Sequence, residues 1–105
     1  MQSQKHANVE ELTQISRQCR EMIIEMITAA KSGHPGGSLS AIDLIVALWF
    51  SEMHGVKSAT ALDAKRDHFI LSKGHGVPAL YAALALKGFL TREELPTLRR
   101  LGSRL

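Results

Sequence analysis

Two glycine-rich segments, each carrying a histidine, interrupt the chain and limit the length of any regular element. Residues 32–38 read Ser-Gly-His-Pro-Gly-Gly-Ser, and residues 72–76 read Ser-Lys-Gly-His-Gly. Because glycine and proline both break regular structure, the first segment is expected to form neither helix nor strand. The 105 residues are therefore expected to be one domain or part of one, built from short elements around two loops.

The stretch before the first loop has the apolar period of an amphipathic helix. Asn8 and Glu11 have the spacing of a capping box, which satisfies free amides of a first helical turn. The helix is expected to run to about Lys31 and to stop before Gly33. Its apolar face consists of Leu12, Ile15, Cys19, Met22, Ile23, Met26, Ile27 and Ala30.

A second helix is expected after the first loop. Ser40 and Asp43 have the spacing of another capping box, with Ser38 as a rival cap, and Gly55 is the expected stop. Apolar residues lie around most of the circumference of this helix. It is therefore expected to be buried on more than one side.

Two further helices are expected after the second loop. Pro78 suits a first helical position, and the helix that it opens is expected to run to residue 87 and to close at Gly88. Thr91 and Glu94 form a third capping box, which opens a fourth helix toward residue 100. A proline two residues after the glutamate interrupts the interior of that helix.

Phe69, Ile70 and Leu71 form a short apolar run between polar residues. Such a run is typical of a strand buried on both faces in a parallel sheet. A lone strand cannot satisfy its own backbone groups, and the chain offers no clear partner strand. The element order predicts an α/β fold in which residues 1–105 form one partial domain, mostly helical with one or two parallel strands, and no second domain.

Composition argues against several classes of function. The formal charge is +3, but basic residues are spread among acidic ones and aromatic residues make up only 5%, so nucleic-acid binding is not expected. The longest apolar run, residues 44–50, is too short to span a membrane. Cys19 is expected to be a small buried hydrophobic side chain, and a cytoplasmic location is the default expectation.

Each glycine-rich loop places a histidine just before a helix. Glycines let a ligand approach the backbone, and a helix start offers unpaired amides that attract anions. An imidazole can donate a hydrogen bond to a phosphate or exchange a proton near neutral pH. The residue chemistry alone leaves two alternatives open, a purely structural turn and an anion-binding site.

The two loops together resemble the start of the transketolases. The shared motifs are Ser-Gly-His-Pro-Gly-Gly after a first helix, Arg-Asp-His-Phe-Ile-Leu-Ser-Lys-Gly-His-Gly at residues 66–76, and Leu-Tyr-Ala at residues 80–82. The likeness runs from about residue 12 to the end of the chain. With Gly37 after the first loop, the sequence is more similar to split bacterial and archaeal transketolases, whose two halves are separate chains.

The resemblance implies a thiamine-diphosphate-binding fold and roles for particular residues. In this family the N-terminal domain binds the cofactor's diphosphate through a divalent metal, Mg²⁺ or Ca²⁺. His34 would contact the sugar substrate and assist proton transfer, as the catalytic and substrate-binding residue. His75 and Gly74 would bind the diphosphate, while Gly33 and Gly36 would shape the backbone. Both histidines are then expected to converge on one pocket.

The chain departs from the family pattern at the metal site. The Gly-Asp-Gly motif and the later asparagine that hold the metal are absent, so the sequence predicts no metal ligand in this chain and no activity for it alone. The resemblance implies a parent enzyme that transfers a two-carbon ketol unit between sugar phosphates. Its expected partner is a C-terminal transketolase subunit, in a homodimer or heterotetramer. Two alternatives stay open, an enzyme similar to deoxyxylulose-phosphate synthase and a non-catalytic assembly fragment.

The remaining polar and aromatic residues near these motifs are given structural interpretations. His54 and His68 are expected to have no role in a site. Lys73 is interpreted as a surface lysine, although it could attract a phosphate. Trp49 and Tyr81 lie on helical stripes and are expected to belong to the core.

Overall fold

The computed structural model describes residues 7–31, 35–53 and 67–105. Three α-helices organise this part of the chain: α1 is Val9–Ala30, α2 is Pro35–Ala47 and α3 is Val77–Leu86. The shorter elements are a π-helical turn at Leu48–Glu52, a 3₁₀ turn at Gly74–Gly76 and a 3₁₀ helix at Arg92–Thr97. α1 packs against α2, α3 and the 3₁₀ helix, and α2 packs on α3. None of the described helices combines the length and the apolar character needed to span a bilayer.

α1 begins and ends where the sequence predicts. Oδ1 of Asn8 accepts a hydrogen bond from the amide of Glu11 at 2.8 Å, and a Glu11 carboxylate oxygen accepts one from the Asn8 amide at 3.0 Å. The helix closes at Lys31, whose backbone is left-handed with φ of 55°. The capping box is therefore confirmed. The buried side chains of this helix are Cys19, Met22, Ile23 and Met26.

The start of α2 differs from the sequence prediction. No regular element is predicted over residues 32–38, but α2 begins at Pro35 and includes both glycines that follow. Proline suits this position because its φ is already helical and its missing amide proton is not needed there. Burial of Ile42, Ile45 and Val46 anchors α2 in the core and offsets the entropy that the glycines lose. The prediction is therefore wrong from Pro35 onward, while residues 32–34 lie outside the described residues.

The capping box predicted at Ser40 and Asp43 does not form, because both residues lie inside α2. Oγ of Ser40 donates to the carbonyl oxygen of Gly37 at 3.1 Å. The Asp43 carboxylate accepts a hydrogen bond from Arg20 of α1 at 2.8 Å. This ion pair is exposed, and such pairs stabilise a fold by at most about 1 kcal/mol. Asp43 therefore links two helices instead of starting one.

α2 is buried on one face only. Leu44 is 69% exposed, so the predicted burial on more than one side is wrong among the described residues. The π-helical turn that follows ends with the amide of Met53 donating to the carbonyl oxygen of Leu48 at 2.7 Å. The predicted stop at Gly55 lies outside the described residues. The buried side chains of α2 are Ser38, Ile42, Ile45 and Val46.

Residues 69–71 have no regular structure, contrary to the predicted strand. The ring of Phe69 meets that of Trp49 edge to face, with 5.4 Å between centroids and planes at 83°. Ile70 is 86% exposed. No strand occurs in the described ranges, so this segment has no ladder partner for its backbone groups there. The prediction of one or two parallel strands is not met, and the described part of the chain is mostly helical.

The segment after the second loop follows its prediction closely. α3 carries Pro78 in its first turn and is followed by Gly88, whose φ of 89° is a left-handed value that favours glycine. The amide of Thr91 donates to the Glu94 carboxylate at 3.0 Å, which confirms the third capping box. The element that it opens is a short 3₁₀ helix containing Pro96, because proline cannot donate to an α-helical ladder.

The core lies between α1, α2 and α3. Trp49 is buried and Tyr81 is half-buried against the core, as the sequence predicts. Cys19 is fully buried, and burial raises the pKa of its thiol to about 12. It is therefore a neutral, unreactive hydrophobic side chain, which confirms its predicted role.

We expect the C-terminal segment to lose stability in acid through Glu94. Hydrogen bonds from Arg104, at 2.7 and 2.6 Å, and from the Thr91 amide lower the pKa of Glu94 from 4.5 to about 2. The stabilisation is therefore present above pH 4.5 and is lost as the pH falls toward 2. NMR titration of the carboxyl group measures this pKa. In Arg104→Gln we expect it to move back toward 4.5, and an unchanged value would contradict the assignment.

Candidate functional site

The two glycine-rich loops meet at the first turn of α2. Nζ of Lys73 donates hydrogen bonds to the carbonyl oxygen of Gly37 at 3.1 Å and to Oγ of Ser40 at 3.2 Å. A Cβ built on Gly76 would lie 3.7 Å from the same Gly37 oxygen. Two segments that are 36 residues apart in sequence are therefore in direct contact.

The aliphatic stem of Lys73 lies in the gap between the two loops. A Cβ built on Gly37 would lie 3.3 Å from Cε of Lys73, and one built on Gly76 would lie 3.6 Å from its Cδ. The missing side chains leave the room that the lysine occupies. The sequence predicts a surface lysine; the residue is exposed, but its ammonium group is held by two hydrogen bonds. The sequence pattern did not reveal this role because both partners lie in α2, 33 and 36 residues earlier in the chain.

Two further glycines of these loops face open space. A Cβ built on Gly36 or Gly74 would have no neighbouring atom within 4 Å. Both residues are exposed, so a ligand can approach their backbones without displacing a side chain. These surroundings are compatible with the predicted cofactor contact of Gly74.

Only one of the two predicted site histidines is described by the structure. His75 is exposed and lies in the 3₁₀ turn Gly74–Gly76, directly before α3. Its carbonyl oxygen lies 3.8 Å from the Cβ position of Gly37, so this turn touches α2. His34 precedes Pro35 in the chain and lies outside the described residues, as does the predicted shaping residue Gly33. The convergence of the two imidazoles therefore stays a prediction.

Two helical segments begin at the contact between the two loops, which places partial positive charge there. α2 and the 3₁₀ turn leading into α3 both begin here, and helix starts carry unpaired amides with partial positive charge. The Lys73 ammonium group lies at the first turn of α2, where a positive charge is disfavoured by about 0.3–1 kcal/mol. A negatively charged ligand would relieve this repulsion, so the arrangement suits an anion such as a phosphate.

Ser38 adds a buried polar atom to the first turns of α2. The side chain is fully buried, and its Oγ has no hydrogen-bond partner in the part of the chain that the structure describes. An unsatisfied buried hydroxyl costs about 1–3 kcal/mol. From the sequence, this serine is considered only as a helix cap. The orphaned hydroxyl and the two open glycines, at the starts of two helical segments, fit a phosphate-bearing group.

The described residues do not fit a metal ion. Across residues 7–31, 35–53 and 67–105, no three His, Cys, Asp or Glu side chains are close enough to share one. Mg²⁺ and Ca²⁺ both require several oxygen ligands. His68 is exposed near the second loop, and His54 lies outside the described residues.

An open groove of about 450 Å³ lies between α1 and α2, and its described lining includes no residue from 35–38 or 72–76. Its charged lining includes Arg17 and the ion pair between Arg20 and Asp43. The described lining of the groove contains neither a histidine nor a glycine.

The sequence matches a known family over most of its length. Residues 12–105 match the family described as transketolase, thiamine diphosphate binding domain. A subunit of the apulose-4-phosphate transketolase of Phocaeicola vulgatus is 43% identical over 95 residues, which are 90% of this chain and 34% of the relative. The 6-deoxy-6-sulfo-D-fructose transketolase subunit SqwG of a Clostridium species is 46% identical over 86 residues, 82% of this chain and 31% of the relative.

A relative named simply as a transketolase matches over a similar number of residues. Human transketolase is 44% identical over 82 residues, which are 78% of this chain and 13% of that protein. The chain thus spans about a third or less of the length of these curated relatives. The resemblance drawn from the two loop motifs is confirmed. The chain belongs to the transketolase family, and its residues 12–105 belong to the thiamine-diphosphate-binding domain of that family.

Proposed function

We propose that this chain contributes the diphosphate side of a thiamine diphosphate site in an enzyme that transfers two-carbon ketol units between sugar phosphates. The observation that carries the proposal is the contact between the two loops at Lys73, between the starts of two helical segments. Family membership supports the identity of the cofactor. The two helix starts and the orphaned Ser38 hydroxyl support a phosphate-bearing ligand.

The two loops have different proposed roles. His75 is exposed at the turn before α3 and donates a hydrogen bond to the diphosphate, while Gly74 leaves its backbone open to it. His34, just before α2, binds the sugar substrate and exchanges a proton at its hydroxyl groups. Thiamine diphosphate, when bound, supplies the carbanion chemistry of its thiazolium ring.

A divalent metal, Mg²⁺ or Ca²⁺, belongs to the proposal as part of the complete enzyme. Because the described residues present no ligand cluster, no metal ligand is assigned to them and no step is derived through the ion. The relatives named as subunits support a partner transketolase subunit, within a homodimer or heterotetramer. A cytoplasmic location accompanies this proposal.

The cofactor assignment is tested in a hybrid enzyme, in which the matched stretch of this chain replaces the corresponding 82 residues of human transketolase. We expect His75→Ala to weaken thiamine diphosphate binding by about 10- to 100-fold, since hydrogen bonds to charged groups are worth about 1.5–3 kcal/mol. Calorimetric titration measures the Kd. The rate at saturating cofactor is expected to change little.

His68→Ala is the matched control, because it removes another exposed histidine only seven residues upstream. Unchanged cofactor affinity in His75→Ala would contradict the assignment. Use of pyruvate without use of xylulose 5-phosphate, by the hybrid with no substitution, would favour the alternative of a deoxyxylulose-phosphate-synthase-like enzyme. Circular dichroism and thermal melting establish that each hybrid is folded.

A further inference from the structure

We propose that Lys73 is a positioning residue that ties the first turn of α2 to the loop before α3. We call the hydrogen bonds from Lys73 to Gly37 and Ser40 the tie. Building on the proposed function, the tie sets the distance between the two loops that bind the diphosphate. Its role is assigned through Gly37 and Ser40, the residues that it holds, and not through contact with the cofactor.

The hydrogen bonds of this tie form a closed triangle. Nζ of Lys73 donates to the Gly37 carbonyl oxygen at 3.1 Å and to Oγ of Ser40 at 3.2 Å. Oγ of Ser40 in turn donates to the same Gly37 oxygen at 3.1 Å. An exposed lysine normally keeps its rotamer freedom, and holding its end in one place loses that entropy. The Lys73 ammonium group is nevertheless fixed at two acceptors, although the nearby start of α2 repels its charge. The two hydrogen bonds therefore hold this side chain in a conformation specific to the site.

The aliphatic part of the Lys73 side chain is restricted by its neighbours. Cε lies 3.3 Å from the Cβ position of Gly37, and Cδ lies 3.6 Å from that of Gly76. The side chain is thus enclosed on two sides by backbone, one wall from each loop. Gly76 provides the amide that bonds back to the carbonyl oxygen of Lys73 at 2.9 Å. The lysine therefore connects the turn that carries His75 to the turn that follows His34.

The tie is separable from the packing that stabilises the fold. α2 and α3 are held together by apolar contacts whose members include Ile42 and Ala79, both fully buried. Lys73 itself is exposed and contributes to none of that core. Loss of its ammonium group is therefore expected to loosen the loops while leaving the helices packed.

The tie is first tested without any cofactor, by amide hydrogen exchange in the 105-residue chain. Lys73→Met keeps the stem and removes the ammonium group. We expect amide exchange at residues 74–77 to be about 3- to 10-fold faster, as for the loss of a hydrogen bond. Lys87→Met is the matched control, since that ammonium group lies 4.4 Å from the ring centre of Phe50. Unchanged exchange in Lys73→Met, or equal acceleration in the control, would overturn the tie.

The positioning role is then tested in the hybrid enzyme. We expect Lys73→Met to raise the Kd of thiamine diphosphate by about 3- to 10-fold, with kcat at saturating cofactor within about twofold of the parent hybrid. Lys73→Arg, which keeps a donor and a long stem, is expected to restore part of the affinity. Ser40→Ala is expected to weaken binding in the same direction but less. The double variant is expected to bind no worse than Lys73→Met alone, because both changes break one network.

Three results would overturn the positioning role. Unchanged affinity in Lys73→Met is the first. The second is unchanged affinity in Ser40→Ala, or a double variant that binds clearly worse than Lys73→Met alone. Either result would mean that the lysine acts independently of Ser40, as a direct charge on the phosphates. The third is a loss of kcat and melting temperature in step with affinity, which would mean general structural damage. If the parent hybrid binds no cofactor, the proposed function fails. Hydrogen exchange in the 105-residue chain still shows whether the Lys73 hydrogen bonds hold the second loop against α2.

Discussion

Replacing His34 with alanine in the hybrid enzyme is expected to lower kcat/KM for the ketose phosphate by about 10²- to 10⁴-fold, the range typical for loss of a general acid–base group. His34 directly precedes Pro35, the first residue of α2, whose first turn is in contact with the Lys73 tie. An imidazole at this position is proposed to exchange protons with the hydroxyl groups of the sugar. Steady-state kinetics with xylulose 5-phosphate at saturating cofactor measure the effect.

The cofactor affinity of the same variant provides the control. His34→Ala is expected to leave the Kd of thiamine diphosphate within about twofold, in contrast to His75→Ala. His34→Gln separates binding from proton transfer, because an amide donates hydrogen bonds but does not titrate. A His34→Ala hybrid with undiminished sugar turnover would show that the first loop has been assigned the wrong role.

Replacing Ile23 with alanine is expected to destabilise the chain by about 2–5 kcal/mol, the usual cost of removing a buried isoleucine side chain. Ile23 is fully buried in α1, the helix that packs against α2, α3 and the 3₁₀ helix. Small domains are stable by only about 5–15 kcal/mol, so the loss would be a large part of the total. Urea denaturation followed by circular dichroism measures the free energy of unfolding.

The neighbouring residue provides a control of identical chemistry. Ile24 is 46% exposed, so Ile24→Ala removes the same atoms from a partly solvated position on the same helix. It is expected to cost less than about 1 kcal/mol. Equal losses in the two variants would contradict the orientation of α1 against the rest of the fold.

Local signals in the sequence were sufficient to predict the boundaries of several elements. The capping box of Asn8 and Glu11 and that of Thr91 and Glu94 both form at the start of an element, and their hydrogen bonds stay within one turn of the chain. Ser40 and Asp43 have the same spacing but lie inside α2, so spacing alone does not locate a helix start. The start of α2 could not be predicted in this way. Its first turn includes two glycines, and the helix is anchored by the burial of Ile42 and its apolar neighbours, tertiary contacts that local propensity does not contain.

The apolar run at residues 69–71 shows a second limit of sequence patterns. A run of three apolar residues has no periodicity that separates a strand from an irregular segment packed on a core. Phe69 contacts Trp49, while Ile70 is exposed, so the three residues do not share one environment. The predicted strand depends on pairing partners, and the described residues provide none.

For the candidate site, the sequence identified the loops but not the contact between them. The glycine and histidine motifs predict two turns next to helix starts, and His75 and Gly74 are found in such a turn. The hydrogen bonds of Lys73 could not be predicted, because they join residues 36 positions apart without any sequence signature of their own. The packing of α2 against α3 and against the turn Gly74–Gly76 brings these residues together.

The edge-to-face contact of Trp49 and Phe69 gives the chain an optical reporter of its second loop. The sequence contains a single tryptophan, and its indole lies 5.4 Å from a ring only four residues before Lys73. A displacement of the segment that leads into this loop changes the surroundings of that one fluorophore. Emission from the unlabelled chain therefore records the loop's movements without interference from any other indole.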